Sequence, residues 1–176
     1  MDEAELNTPN IVSRQHLIEA IVGMTLLVLA FFAIASSDVS ATGTRTYWSL
    51  LILVFAVTAF ASDRIHTGHS FGHLPSALTI FLHWLGIFAA IQIVHYLVAT
   101  DRMANADIGL TNGLVLALGT YLFGLYSNWR MAVIGFALAL GTAGVAFIEE
   151  FVWFLFIVAV VAILILFFGA KLIKSH

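Results

Sequence analysis

The longest apolar stretch of this chain limits its fold more than any other feature. From 131 to 173 the sequence is almost entirely apolar, and Glu149-Glu150 is its polar interruption. As a single helix this stretch would exceed about 60 Å at about 1.5 Å per residue, which is twice the hydrocarbon thickness of a bilayer, about 30 Å. We therefore predict two transmembrane helices joined by a tight hairpin, with Glu149 and Glu150 at its tip.

The rest of the chain carries further apolar segments of similar length. Of the 176 residues, 61% are hydrophobic and 10% are charged, whereas soluble domains are about 25% charged. The mean hydropathy is +1.03, and so few polar residues cannot cover a water-exposed surface of this size. The sequence predicts an all-α polytopic membrane protein, a bundle of about six transmembrane helices with short loops. The six predicted helices are 17–36, 47–62, 76–99, 110–126, 131–148 and 151–171.

The basic residues predict how these helices are oriented. Six spans place both termini on one side of the membrane, and Lys and Arg are enriched in cytoplasmic loops. Arg45 and Arg102 fall on one side, and the other side carries Arg14, Arg64, Arg130, Lys171 and Lys174. We therefore expect a polar cytoplasmic segment at 1–16, a single transmembrane domain at 17–173 and a cytoplasmic C-terminus at 174–176. The expected location is a bacterial-type plasma (inner) membrane.

Charge and loop length exclude several classes of protein. The formal net charge is −3 and the chain has no basic cluster, so nucleic acid is not an expected partner. The predicted loops are short and contain no glycine-rich phosphate-binding motif, so no nucleotide is expected either. The chain contains no cysteine, which excludes disulfides, thiol catalysis and cysteine-based metal sites.

The predicted loop at 63–73 has a spacing that permits a metal site. The candidate ligands are Asp63, His66, His69 and His73. On a helix the three histidines would share one face, and imidazoles that converge with a carboxylate suit zinc or iron. The alternative is a polar loop at the membrane interface whose histidines bind nothing. No cofactor is therefore the first expectation, and zinc or iron bound through this histidine-rich loop is the alternative.

The third predicted helix holds most of the polar residues that would lie inside the membrane. They are Ser76, Thr79 and His83 toward one end and Gln92 and His95 toward the other, and the fourth helix adds Asn112. Polar side chains in a bilayer are costly and tend to face the bundle interior or a water-filled path. These residues are therefore candidates for a permeation path. The alternative is that each one hydrogen-bonds to a neighbouring helix and holds the bundle together.

Two further patterns bear on assembly. In a symmetric oligomer, Glu149 and Glu150 would repeat as an outer acidic ring that concentrates cations; the alternative is a solvated hairpin tip. Small residues are dense in the fourth and fifth helices, where they allow close helix packing. The glycines predicted to pack helices are Gly109, Gly113, Gly135, Gly141 and Gly144.

Three functions are compatible with these patterns. The polar residues of the third helix favour an ion or small-solute channel or transporter, which would act as an oligomer because one chain has too few polar groups to enclose a pore. An accessory or structural subunit of a membrane complex is the first alternative. A histidine-dependent metal-binding membrane protein or intramembrane metalloenzyme is the second. The expected partners are the lipid bilayer and either further copies of the chain or another membrane subunit, and enzymatic activity is not favoured.

Overall fold

A computed structural model describes residues 10–37, 41–68 and 74–148 of the chain. Within these ranges the regular structure is entirely helical. Its helices are α1 (Asn10–Ser37), α2 (Ala41–Thr67), α3 (Leu74–Ala99), α4 (Asp107–Tyr126) and α5 (Trp129–Ile148). Each of the five contains a stretch long and apolar enough to cross a membrane, so the prediction of an all-helical chain with membrane-spanning helices is confirmed to that extent. The predicted sixth helix at 151–171, the Glu149-Glu150 hairpin and the segment 174–176 lie outside the described residues.

The first two helices extend further than the predicted spans. The segments of membrane-spanning length agree closely for α1, Leu17–Ser37, but α2 offers Gly43–His66 where the sequence predicts 47–62. Most of the added residues of α2 are polar, and the side chains near both ends of the helix have partners on α3. Arg45 near the beginning of α2 donates to Gln92 on α3, and Asp63 near its end accepts from Ser76 on α3.

The chain divides into two compact units, Met1–Thr142 and Ala143–His176. Within the first unit, α2 packs against α1 and α3, and α4 packs against α1 and α3. Residues of α5 up to Thr142 lie against both α4 and α1. The described part of the second unit, residues 143–148, is helical. Because consecutive helices run in alternate directions, α1, α3 and α5 begin at the same end of the first unit, which we call the first end.

The core of the first unit contains a group of aromatic side chains. Phe55 of α2 and Phe123 of α4 are fully buried, and Trp84 of α3 is nearly so. The ring centroids of Phe55 and Trp84 are 6.2 Å apart, and those of Trp84 and Phe123 are 6.1 Å apart. Such tilted ring pairs stabilise a core beyond the area they bury. The rings therefore tie α2, α3 and α4 together near the middle of the bundle.

Glycines allow the closest approaches between helices in this unit. A Cβ added at Gly109 would lie 2.6 Å from the Ile34 carbonyl oxygen, so α4 meets the backbone of α1 there. A Cβ at Gly135 would meet the backbone of Tyr121, where α5 meets α4. Close approach of this kind is what small residues permit in membrane bundles.

The other predicted packing glycines differ in what surrounds them. Gly113 faces the side chains of Ile34 and Thr142, and Gly141 faces the ring of Phe31. Gly144 lies in the second unit, and its role in packing stays a prediction.

Candidate functional site

Polar side chains that reach from one helix to another are the candidate functional groups of this protein. At the first end, the carboxylate of Asp63 accepts hydrogen bonds from Ser76 Oγ at 3.1 Å and Ser127 Oγ at 2.8 Å. Asp63 is buried, and these two bonds connect α2 with α3 and with the turn after α4. Thr79, one turn beyond Ser76, lies on an exposed face of α3.

His83 lies nearer the middle of α3 and faces α4. Its Nε2 is 2.9 Å from the backbone oxygen of Gly119, and because a carbonyl oxygen only accepts, Nε2 carries the proton and donates. The imidazole contacts the rings of Trp84, Phe123 and Tyr126, with centroids 5.6 to 5.8 Å away. The side chain is half-buried. The hydrogen bond from Nε2 therefore joins α3 to α4.

Gln92 lies further along α3 and faces α2. Its Oε1 accepts from Arg45 Nε at 2.8 Å, and its Nε2 donates to Ser49 Oγ at 3.2 Å. Both ends of the amide are therefore satisfied by the same neighbouring helix. The predicted polar residues of α3 thus alternate between contacts with α2 and contacts with α4.

His95 and Asn112 form a deeply buried polar pair between α3 and α4. Asn112 is completely buried and His95 is nearly so. Asn112 Nδ2 lies 3.4 Å from His95 Nε2, a long hydrogen bond in which the amide donates. Asn112 Oδ1 has no hydrogen-bond partner among the described residues. A buried carbonyl oxygen without a partner costs free energy unless water or another donor reaches it.

A further polar connection, which the sequence patterns do not single out, joins α2 to α1. Trp48 Nε1 donates to Ser37 Oγ at 3.0 Å, and Ser37 Oγ donates to the Ala33 carbonyl oxygen at 2.7 Å. Trp48 and Ser37 are both fully buried. The sequence signal for this contact is partial, because an indole N–H usually finds a partner when it is buried.

A second polar group lies where α1, α2 and α5 meet. Of its members, His66 is a predicted site residue, whereas Glu19 and Arg130 are not. Glu19 of α1 forms an ion pair with Arg130 of α5, and Glu19 Oε1 is 3.2 Å from His66 Nε2 on α2. Asn128, just before α5, donates from Nδ2 to Ser62 Oγ at 2.7 Å. Glu19 inside an apolar span is the sequence signal for such a group, since a carboxylate there needs a partner. We call Glu19, His66 and Arg130 the interfacial triad.

The predicted metal ligands are described only in part. His66 has Nδ1 2.9 Å from the Ser62 carbonyl oxygen and Nε2 beside Glu19, and Asp63 is bound by two serines as above. His69 and His73 lie outside the described residues. Within residues 10–37, 41–68 and 74–148, no three His, Asp or Glu side chains are grouped to hold a metal ion. The metal hypothesis therefore depends on His69 and His73 and stays a prediction, as does the acidic ring of Glu149 and Glu150.

Comparison with known proteins returns no relative. No family model, no curated protein and no solved structure matches the chain. The class of the protein accordingly follows from the fold. It is an all-helical protein with five described helices whose apolar character is compatible with an integral membrane location.

Proposed function

We propose that this protein is a structural or accessory subunit of a membrane complex, held in one arrangement by hydrogen bonds between its own helices. The observation that carries the proposal is that polar side chains of α3 hydrogen-bond to the neighbouring helices. His83 bonds to α4, whereas Gln92 and Ser76 bond to α2. Hydrogen bonds between membrane helices contribute about 0.6 kcal/mol each on average, so together they favour a single packing.

The outer surface of the described helices supports the same proposal. The large side chains exposed along α1 to α5 are overwhelmingly apolar, as Phe32, Val57, Phe81 and Leu118 illustrate. A pore built between copies of a chain needs a polar face toward the common axis. Surfaces of this kind suit lipid or the apolar face of another membrane helix.

A groove between α2 and α3 is the surface that we propose for the partner. It has a volume of about 520 Å³ and opens to the outside of the bundle, and its walls include Ala56, Phe60, Ala77 and Trp84. Its lining is almost entirely apolar, and the small Ala56 and Ala77 leave room for side chains of a packed helix. The proposed occupant is a transmembrane helix of another subunit.

The proposal is tested by extracting the full chain from its native membrane in a mild detergent and weighing the particle by native mass spectrometry. We expect a second membrane polypeptide in fixed stoichiometry. Ala56→Trp fills the proposed groove and is expected to remove the partner. Ala139→Trp is the matched control, because it places the same side chain in an apolar groove between α4 and α5. A particle that contains this chain alone, or equal loss with both variants, contradicts the proposal.

A channel or transporter is the second candidate, and the pair of His95 and Asn112 is the observation that favours it. Asn112 Oδ1 has no hydrogen-bond partner in the part of the chain that the structure describes, and a water molecule beside it would donate a hydrogen bond to it. Purified protein in liposomes loaded with a pH-sensitive dye distinguishes the two functions. If the protein is a structural subunit, liposomes that contain it leak protons at the same rate as empty liposomes. A larger leak that Asn112→Leu abolishes and Gly86→Ala preserves would establish the channel instead.

A further inference from the structure

The interfacial triad is more exposed than the polar contacts of Asp63 and Asn112. The side chains of Glu19, His66 and Arg130 are 29%, 30% and 28% exposed, whereas Asp63 and Asn112 are buried. The side chains of the triad are partly open at the first end of the bundle, although Glu19 Oε2, on the side of Arg130, is itself covered.

The triad lies at the ends of three segments that are long and apolar enough to cross a membrane, which is the level at which lipid headgroups would begin. Glu19 is close to the beginning of the apolar segment Leu17–Ser37, His66 ends the segment Gly43–His66, and Arg130 is second in Trp129–Ile148. Next to Arg130, Trp129 is 69% exposed, and the guanidinium carbon lies 6.0 Å from the centroid of its ring. Exposed tryptophans are enriched at this depth of a membrane.

An apolar groove descends from the triad between α1 and α5. It has a volume of about 540 Å³, with Glu19, Trp129 and Arg130 at one end and Leu27 and Val133 among its apolar walls. From Glu19 to Leu27 the groove runs about 12 Å at about 1.5 Å per residue, most of one leaflet of a hydrocarbon core about 30 Å thick. A charged end and an apolar body of this length match one chain of a lipid.

A second cavity reaches the triad from its other side. It is smaller, about 150 Å³, and lies between α1, α2 and α5. His66 and Asn128 line its polar end, and Ile18, Val22 and Ile134 line its apolar part. The Glu19–Arg130 pair borders both spaces, so a headgroup that binds there has room on both sides of the pair.

We propose that the interfacial triad and the α1–α5 groove bind a zwitterionic phospholipid that carries an ammonium group. The phosphate lies at Arg130, the ammonium lies at Glu19, and one acyl chain follows the groove. Charge decides this choice, because Glu19 and Arg130 present one negative and one positive charge side by side at the charged end of the groove. An anionic headgroup would place its phosphate beside the Glu19 carboxylate with no ammonium to offset the repulsion.

The headgroup must supply the selectivity of this site. Acyl chains are already in an apolar solvent in the bilayer, so moving one into the groove changes its environment little. The charged contacts at the triad are therefore the part of the interaction that distinguishes one lipid from another. Contacts of partly exposed charges are modest, and we expect about a fivefold preference.

The test uses the full chain in nanodiscs made from equal parts of phosphatidylethanolamine and phosphatidylglycerol. After transfer to detergent, native mass spectrometry counts the lipids that stay bound. We expect phosphatidylethanolamine to be retained about fivefold over phosphatidylglycerol. Glu19→Gln and Arg130→Gln should each abolish the preference, and the exposed Trp129→Ala should weaken retention without unfolding the chain. Arg45→Gln is the matched control, since it removes a cation that contacts Gln92 on α3.

Several results would overturn the proposal. They are equal retention of the two lipids, preference for phosphatidylglycerol, a preference that survives both triad variants, or an equal loss with Arg45→Gln. A groove found covered by a second copy of the chain, or by its residues beyond 148, would also overturn it. A photoactivatable crosslinker attached to Met24→Cys or Val133→Cys, in a chain that has no cysteine of its own, captures either cover, and the mass of the product distinguishes a second copy from the same chain.

Discussion

Replacing Gly135 by alanine tests the close contact between α5 and α4. A Cβ at this position would lie 2.7 Å from Tyr121 Cα and 2.8 Å from the Ala117 carbonyl oxygen, and it would also meet Tyr121 N. All three neighbours are backbone atoms, so no side-chain rotation relieves the contact. Ordinary contact begins near 3.4 Å, and the two helices must therefore separate by several tenths of an ångström.

The expected size of the effect follows from two opposing terms. Overpacking of this kind costs about 1–3 kcal/mol, and alanine regains up to about 1 kcal/mol of helix propensity over glycine. We expect a net loss of about 1–2 kcal/mol in the free energy of unfolding, which is roughly a 5- to 30-fold change in the folding equilibrium. Unfolding of the protein in mild detergent by titration with SDS, followed by circular dichroism, measures it.

Gly86→Ala is the control for this prediction. Gly86 lies within α3, and nothing described lies within 4 Å of a Cβ added there. The substitution therefore keeps the gain in helix propensity without the contact, and stability should stay the same or rise. If Gly135→Ala is as stable as Gly86→Ala, then α4 and α5 do not approach as closely as described, and the reasoning fails.

Three substitutions of buried polar residues extend the same titration. Trp48→Phe removes the indole donor to Ser37 and should lower the free energy of unfolding by about 0.6–1.7 kcal/mol; an unchanged midpoint would contradict it. Asn112→Leu removes an unpartnered carbonyl oxygen, whose burial costs about 1–3 kcal/mol, together with the long bond from Nδ2 to His95, so stability should hold or rise, and a clear loss would show that the bond to His95 outweighs the buried oxygen. Asp63→Asn replaces one of the two accepting carboxylate oxygens by an amide donor and should lower the free energy of unfolding by about 1–2 kcal/mol. An unfolding midpoint equal to or above that of the unchanged protein would contradict this prediction.

The helices were predictable because membrane lipid leaves the backbone few choices. Each N–H and C=O in hydrocarbon needs a partner within its own helix, so an apolar run of sufficient length predicts a helix without any periodicity. The ends of α2 were less predictable. Thr44 and Asp63 appear polar enough to end a helix, and only the positions of neighbouring helices reveal that both are buried.

The contacts of the candidate site were predictable only in kind. That His83 would need a partner follows from its place in an apolar helix, but the partner is the backbone oxygen of Gly119, and a carbonyl group carries no sequence signal. Glycines show the same limit. Gly86 and Gly135 both lie within apolar helices, yet one meets open space and the other meets the backbone of α4.

Depth along the bundle distinguishes the contact of His83 from the ion pair of Glu19 and Arg130. Toward the middle of the bundle no water is available to hydrogen-bond an unpaired polar group. A group such as His83 therefore bonds to the neighbouring helix and stabilises the packing of the two helices. At the first end, water and headgroups compete for hydrogen bonds with the charged side chains. The Glu19–Arg130 ion pair therefore contributes little to the free energy of folding. A charged group that is kept at that depth and left partly exposed is therefore more suited to recognition than to stability. On this reasoning the contact of His83 serves the fold, and the proposed lipid contact falls at the first end.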